Sequence, residues 1–341
     1  PAAAFHADFN LGVGGPHILW GGPGLSVYSG TGLGNNFHLA GGVFRITTPQ
    51  TLTLPGKIFV LTCGGVFEIG ADLNGAAEGD FTFAVGAPGA TSTTVALYAD
   101  TGFSASGADR AVNLSGGATL VWGSNHFLTF YDGSLDYGYS LLLSSPYADA
   151  TVDLQNPIDL NDGGICGRIR TVAVADGGAA VDARLSGALS GNAAFAKTGA
   201  GTLELTGVQN YNGPLLVLGG LVRFGAANIV TNGLAVHLRG GGLAAGVGAN
   251  SLGALRVFAD ATIDVGDGTA SLAFADSSGA AWAGALTLTG RLLPTTLRFG
   301  TDAGGLSEAQ LAAVRIGGDK VGITDAGYLY RIAAGTVISV R

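Results

Sequence analysis

Short apolar runs, each closed within a few residues by Gly, Asn or Asp, recur along almost the whole chain and leave little room for helices. Runs of three to six residues rich in Val, Ile, Leu, Phe and Thr read as β-strands, because a helix needs a longer apolar stripe with a period near 3.6. The runs Val43–Ile46, Ile58–Leu61, Phe81–Val85, Thr119–Trp122, Phe127–Phe130, Ile169–Val174, Thr202–Leu205, Leu215–Leu218, Leu221–Phe224, Leu234–Leu238, Thr262–Val265 and Leu286–Leu288 are predicted strands. Turns are predicted at Asn74-Gly75, Asp132-Gly133, Asp162-Gly163, Asp176-Gly177, Asn212-Gly213, Asn232-Gly233 and Asp267-Gly268, where positive φ costs little. Such spacing fits an antiparallel sandwich or a solenoid. Leu215-Leu216-Val217-Leu218 is apolar throughout, where a half-wet hairpin strand would alternate, and this tips the reading towards parallel stacking.

One segment breaks the β pattern. In Leu306–Val314, Ser307 and Gln310 have capping-box spacing and Leu311 and Val314 fall on one helical face, so a short helix covering a core end is expected there.

Glycine accounts for 60 of 341 residues without a three-residue period, and proline for 10, which excludes collagen. A hydrophobic share of 47% excludes disorder. The net charge of −8, with lysine only at 57, 197 and 320, argues against nucleic acid, whose phosphates need a basic face. The longest stretch without Asp, Glu, Lys or Arg, between Asp8 and Arg45, is broken by many glycines and by Pro16 and Pro23, so no transmembrane span is predicted. The opening Pro1-Ala2-Ala3-Ala4 and the lack of methionine suit a chain processed on export. In an oxidising compartment Cys63 and Cys166 would form one disulfide, worth roughly 3–5 kcal/mol in the chain-entropy account; the alternative is two buried thiols.

Residues 197–225 read Lys197-Thr198-Gly199-Ala200-Gly201-Thr202-Leu203-Glu204-Leu205-Thr206-Gly207, then Asn210-Tyr211-Asn212-Gly213, then Gly219-Gly220-Leu221-Val222-Arg223-Phe224-Gly225. This closely resembles the autotransporter-associated β-strand repeat of exported bacterial proteins. Arg170–Val174 and Leu185–Gly191 are similar to its upstream flanks, and Phe299-Gly300, the Leu306–Val314 segment and Asp325–Leu329 to the C-terminal parts of such proteins. The resemblance implies a right-handed parallel β-helix, a bacterial surface or extracellular location, and a role in display, adhesion or structure rather than a defined chemistry. It shows one clear repeat, at about 185–225, and no membrane-anchoring barrel. The expected organisation is a Gly-rich, charge-poor segment over 1–45, a β-solenoid over 46–300 with Thr and Asn on its outer turns, and a capping segment over 301–341.

Catalytic motifs are sparse. Gly102-Phe103-Ser104-Ala105-Ser106 lacks the second glycine of a nucleophile elbow, and the pairs Gly12/Gly14, Gly199/Gly201 and Gly246/Gly248 complete no nucleotide-binding loop. His6, His17, His38, His126 and His237 have no zinc-motif spacing. The pairs Asp132/Asp136, Asp149/Asp153 and Asp264/Asp267 are candidates for Ca²⁺ or for polysaccharide cleavage, with turn residues as the plainer reading. Trp20, Trp122 and Trp282 are too scattered to form a sugar-stacking strip. No cofactor is expected. The first reading is a non-enzymatic extracellular structural protein; the second is a carbohydrate-binding or polysaccharide-cleaving β-helix; the third is an adhesin fragment. A self-assembled filament or surface layer is the expected partner state, on the ground that the charge-free stretch Phe9–Phe44 lacks the charges that guard a sheet edge; it packs either on its own first rungs or on a neighbouring copy.

Overall fold

A computed structural model describes residues 5–9, 17–29, 36–50, 58–73, 81–86, 94–130 and 136–333. The fold is an all-β parallel β-helix, and the chain divides into two compact units, residues 1–203 and 204–341. The predicted turns Asn74-Gly75 and Asp132-Gly133 lie outside the described residues.

In the first unit four parallel ladders run through the described residues. One stacks His17–Gly21, Asn36–Ala40, Ile58–Thr62, Thr94–Tyr98 and Phe127–Thr129. A second stacks Leu25–Tyr28, Val43–Ile46, Gly65–Ile69, Thr101–Ala105, Leu141–Leu143, Ile169–Val174 and Ala194–Thr198. A third takes Arg110–Val112, Val152–Leu154 and Ala183–Leu185, and a fourth Leu120–Val121, Ile158–Asp159 and Leu189–Gly191. The chain visits the ladders in turn, so Thr94–Tyr98, Thr101–Ala105, Arg110–Val112 and Leu120–Val121 make one rung, and Phe127–Thr129, Leu141–Leu143, Val152–Leu154 and Ile158–Asp159 the next. Like residues therefore stack inside. Phe44, Phe67, Phe103, Leu143 and Val174 occupy one inward column in register, all at most 1% exposed. Phe37, Phe59, Phe81 and Phe83 join the column's aromatic end with ring centroids 4.7–6.2 Å apart.

Twelve predicted strands all contain strand or bridge residues, and Val43–Ile46, Ile169–Val174, Thr202–Leu205 and Leu221–Phe224 keep their predicted limits. Within the described part of the charge-poor N-terminal segment, His17–Gly21 and Leu25–Tyr28 join the ladders of their own chain, and Phe5–Phe9 pairs with the first ladder as an antiparallel strand.

The second unit is built the same way. Leu215–Val217, Val236–Arg239 and Leu255–Ala259 form one parallel ladder. Leu221–Phe224, Gly242–Ala244, Ala261–Asp264, Leu286–Thr289 and Val314–Ile316 form another, and Ala249–Leu252, Ser271–Phe274 and Leu297–Phe299 a third. It ends antiparallel: Val314–Ile316 pairs with Asp319–Ile323, which pairs with Leu329–Ile332.

The predicted helix spans Glu308–Ala312, with both arms of the capping box formed between Ser307 and Gln310. Its buried residue is not the expected Leu311 but Gln310, whose Nε2 donates to the carbonyls of Ser277 and Ala280, each at 2.8 Å. Val314 is buried as part of the next strand. No helix among the described residues is long and apolar enough to cross a membrane.

Two corner asparagines lie inside the stack, while Thr262 and Thr287 stack in register on its outer side. Asn156, 1% exposed, donates to the carbonyls of Leu114 and Ala118 and accepts from Leu114 N–H, bracing one rung against the next from inside. Asn250 does the same for Ala226 and Ile229 in the second unit. Of the predicted Asp-Gly and Asn-Gly turns described, Gly163, Gly233 and Gly268 have positive φ. Gly177 and Gly213 do not; a Cβ at Gly177 would come within 2.6 Å of the Ala148 carbonyl.

Candidate functional site

The repeat motif is a corner built around two buried charges. Lys197 lies in register with the inward residue Val172 and is itself fully buried. Its Nζ donates to the Gly199 carbonyl at 2.6 Å, and burial lowers its pKa to about 8, with Asp182 and Asp176 pulling the other way. Asp182, 1% exposed, accepts from Gly177 N–H and Thr202 N–H, both at 2.7 Å. A Cβ at Gly199 would lie 2.2 Å from the Val174 carbonyl, and one at Gly201 2.4 Å from that of Ala175, so both motif glycines permit close approach of rungs. Leu203, Leu205, Gly207 and Tyr211 are buried; Thr198, Gly213, Gly220 and Leu221 are half-buried, and Asn210 is exposed. The motif's signature residues thus hold backbone together.

Those carboxylates singled out as possible catalysts that lie among the described residues are each engaged separately. Asp132 lies outside the described residues, and Asp136 is clamped by two arginines. Arg170, fully buried, donates to both Asp136 oxygens at 2.9 and 2.7 Å and to the carbonyls of Leu160, Asn161 and Trp122, while Arg168 pairs with Asp136 at 3.0 Å. Burial pushes the Asp136 pKa up, but the Arg170 bonds, Gly138 N–H and the two positive charges bring it below the usual carboxylate value. Asp149 accepts from Gly107 N–H, the main reason its pKa is lowered, whereas Asp153, bound to Ser186 Oγ at 2.8 Å, is raised by burial. Asp264 and Asp267 cap turns at Gly266 and Thr269. Ser104, the serine of the incomplete elbow, is buried and donates to Glu68, which also receives Arg45 and Ser145.

The side chains of His6 and His17 are outside the described set; His126 shares a 2.8 Å hydrogen bond with Tyr98 Oη, and His237 lies in the second unit beside Phe258. No group of three or more His, Cys, Asp or Glu suited to a metal ion occurs among the described residues. Cys63 and Cys166 are exposed free thiols, not the expected disulfide and not its alternative of buried thiols. They sit on separate turns, Cys63 between Ile58–Thr62 and Gly65–Ile69, and Cys166 between Ile158–Asp159 and Ile169–Val174. Trp122 is fully buried, its Nε1 donating to the Tyr139 carbonyl, and Trp282 donates to that of Leu255.

Two clusters were not anticipated. Phe130 and Tyr137, 46% and 65% exposed, meet edge to face at 5.6 Å, and Tyr139 follows at 6.0 Å, beside the Asp136–Arg168 pair. The clue was the tyrosine-rich run Tyr137-Gly138-Tyr139 beside Asp136. In the second unit a groove of about 380 Å³ is lined by Asp276, Arg298 and Asp302, among others, with both aspartates engaged in turns at Ser278 and Gly304. Compared with known proteins, the chain matches no family model, no curated protein and no solved structure.

Proposed function

We propose that this chain is a non-enzymatic extracellular structural protein of a bacterial cell surface, whose solenoid serves as a rigid spacer and display surface. The observation that carries this reading is the use of the candidate catalytic groups: Asp136, Asp149, Asp264, Asp267, Ser104 and Lys197 are each occupied with backbone or side-chain partners that hold a corner or a rung. A general acid or nucleophile needs a partly free group facing substrate. The resemblance to the autotransporter-associated repeat supports the location, and the outermost strand of the second ladder, Leu25–Tyr28 with Val27 56% exposed, supports end-to-end assembly of copies. Incubation with a panel of polysaccharides, with and without Ca²⁺, is expected to release no reducing or unsaturated ends; release from any of them overturns the reading. Sedimentation at rising concentration tests assembly: growth into long species is expected, and a monomer at every concentration refutes it.

A second reading, glycan binding without cleavage, is favoured by the exposed Phe130–Tyr137–Tyr139 cluster, since aromatic faces bordered by charged groups suit sugar rings. Tyr137→Ala is expected to weaken binding to any neutral glycan that the parent retains on an affinity gel.

A further inference from the structure

The outward face of the second unit's Val236–Arg239 and Leu255–Ala259 pair brings two arginines together that pair with no carboxylate among the described residues. Val236, Leu238, Leu255 and Val257 are buried, which turns His237, Arg239 and Arg256 to the other face, with His237 and Arg256 in register. The register then slips: Leu238 pairs with Val257 but Arg239 with Ala259, leaving Phe258 as the extra residue of a β-bulge. Bulges re-aim side chains, and here the result is an exposed ring with the Arg239 guanidinium 4.4 Å above its centroid and the His237 ring 5.5 Å away.

Stacking on Phe258 fixes the plane of the Arg239 guanidinium while its N–H edges stay open to a ligand. Among the described residues, no carboxylate forms an ion pair with Arg239 or Arg256. The two arginines also act on His237, whose pKa is lowered by burial first and by Arg256 and Arg239 after it. A protein of net charge −8 that sets two guanidinia side by side with no carboxylate paired to them among the described residues holds a local positive field that attracts an anion.

We propose that this bulged patch, His237, Arg239, Arg256 and Phe258, binds an acidic polysaccharide, the guanidinia receiving carboxylate or sulfate groups on nearby sugars. Guanidinium forks match both groups. Duplex DNA fits less well, because a polyphosphate needs a broad basic face and this patch offers two guanidinia. The patch shares no residue with the aromatic cluster of the first unit.

The test is binding of the full chain to immobilised polygalacturonate, heparin, dextran and DNA at low and moderate salt. Binding to one or both acidic glycans and not to dextran is expected, and the preferred acid identifies the group recognised. Arg239→Gln with Arg256→Gln should weaken that binding at least tenfold and flatten its salt dependence, and the Lys pair should restore most of it. Phe258→Leu should weaken binding less, while Arg291→Gln and Tyr137→Ala should leave it unchanged. Failure to bind either acidic glycan, binding that survives the double Gln variant, or DNA binding as tight as glycan binding each overturns the proposal. Loss on Tyr137→Ala alone overturns it while leaving the glycan-binding reading of the first unit standing. A thermal midpoint within a few degrees of the parent shows that the double variant is folded.

Discussion

Lys197 sits where a β-helix core would ordinarily place an aliphatic residue, in register with Val172, and its charge is held by one carbonyl and by carboxylates at the corner. Because the folded chain releases this proton near pH 8 and an unfolded lysine near 10.5, the unfolded chain binds more protons between those values, so stability rises with pH there. Below pH 8 both states are charged and the cost is constant. Urea denaturation should therefore show a gain of about 2 kcal/mol between pH 7.5 and 9.5 that Lys197→Met abolishes. Above pH 10 the sign reverses through Tyr211: burial raises its pKa, so only the unfolded tyrosine ionises and stability falls. Arg170 poses the opposite case, a buried cation with five acceptors. Arg170→Met leaves Asp136 with only Arg168 and Gly138 N–H and takes the guanidinium from the carbonyls of Leu160, Asn161 and Trp122, and should cost about 3 kcal/mol in the same assay. Neither role was legible beforehand. Lys197 stood in the sequence as a motif letter and Asp136 as half of a possible acidic pair, since burial and partners depend on which rung lies above which.

At the scale of strands and corners the sequence was far more informative. Val43–Ile46, Ile169–Val174 and Leu221–Phe224 were visible because each is a short run of strand-forming residues between breakers, and the Ser307/Gln310 box announced its helix. The pairing of strands was not visible, because the rungs differ in length. The contact from Arg45 to Glu68 spans 23 residues and that from Ser104 to Glu68 spans 36, so no constant period marks the stack. The stacked phenylalanines were hidden for the same reason. Phe103, fully buried between Phe67 and Leu143, should lose about 3–5 kcal/mol on replacement by Ala, read by denaturant midpoint. Gly102→Ala tests rung spacing itself, since its Cβ would stand 1.8 Å from the Leu142 carbonyl although the backbone is in the second ladder's extended form. That variant should be destabilised by more than 2 kcal/mol or accumulate in the insoluble fraction.

For each unit as a whole, parallel stacking explains how a chain with few charges and many glycines holds together: residues far apart in sequence supply one another's hydrogen bonds and one continuous apolar column. Both ladder ends that the structure describes as closed are closed by antiparallel strands, Phe5–Phe9 in the first unit and Asp319–Ile332 in the second. The most direct test of this architecture is the separation of residues two rungs apart. Leu142 pairs with Ala173, and Ala173 with Thr198, so nitroxides on Leu142→Cys and Thr198→Cys, with Cys63 and Cys166 replaced by Ser, should lie about 10 Å apart, twice the inter-strand spacing. Continuous-wave electron paramagnetic resonance of the frozen protein should then show strong dipolar broadening relative to the singly labelled chains. Spectra that equal the sum of the two single labels, placing the residues more than about 20 Å apart, would contradict the stacked parallel ladder.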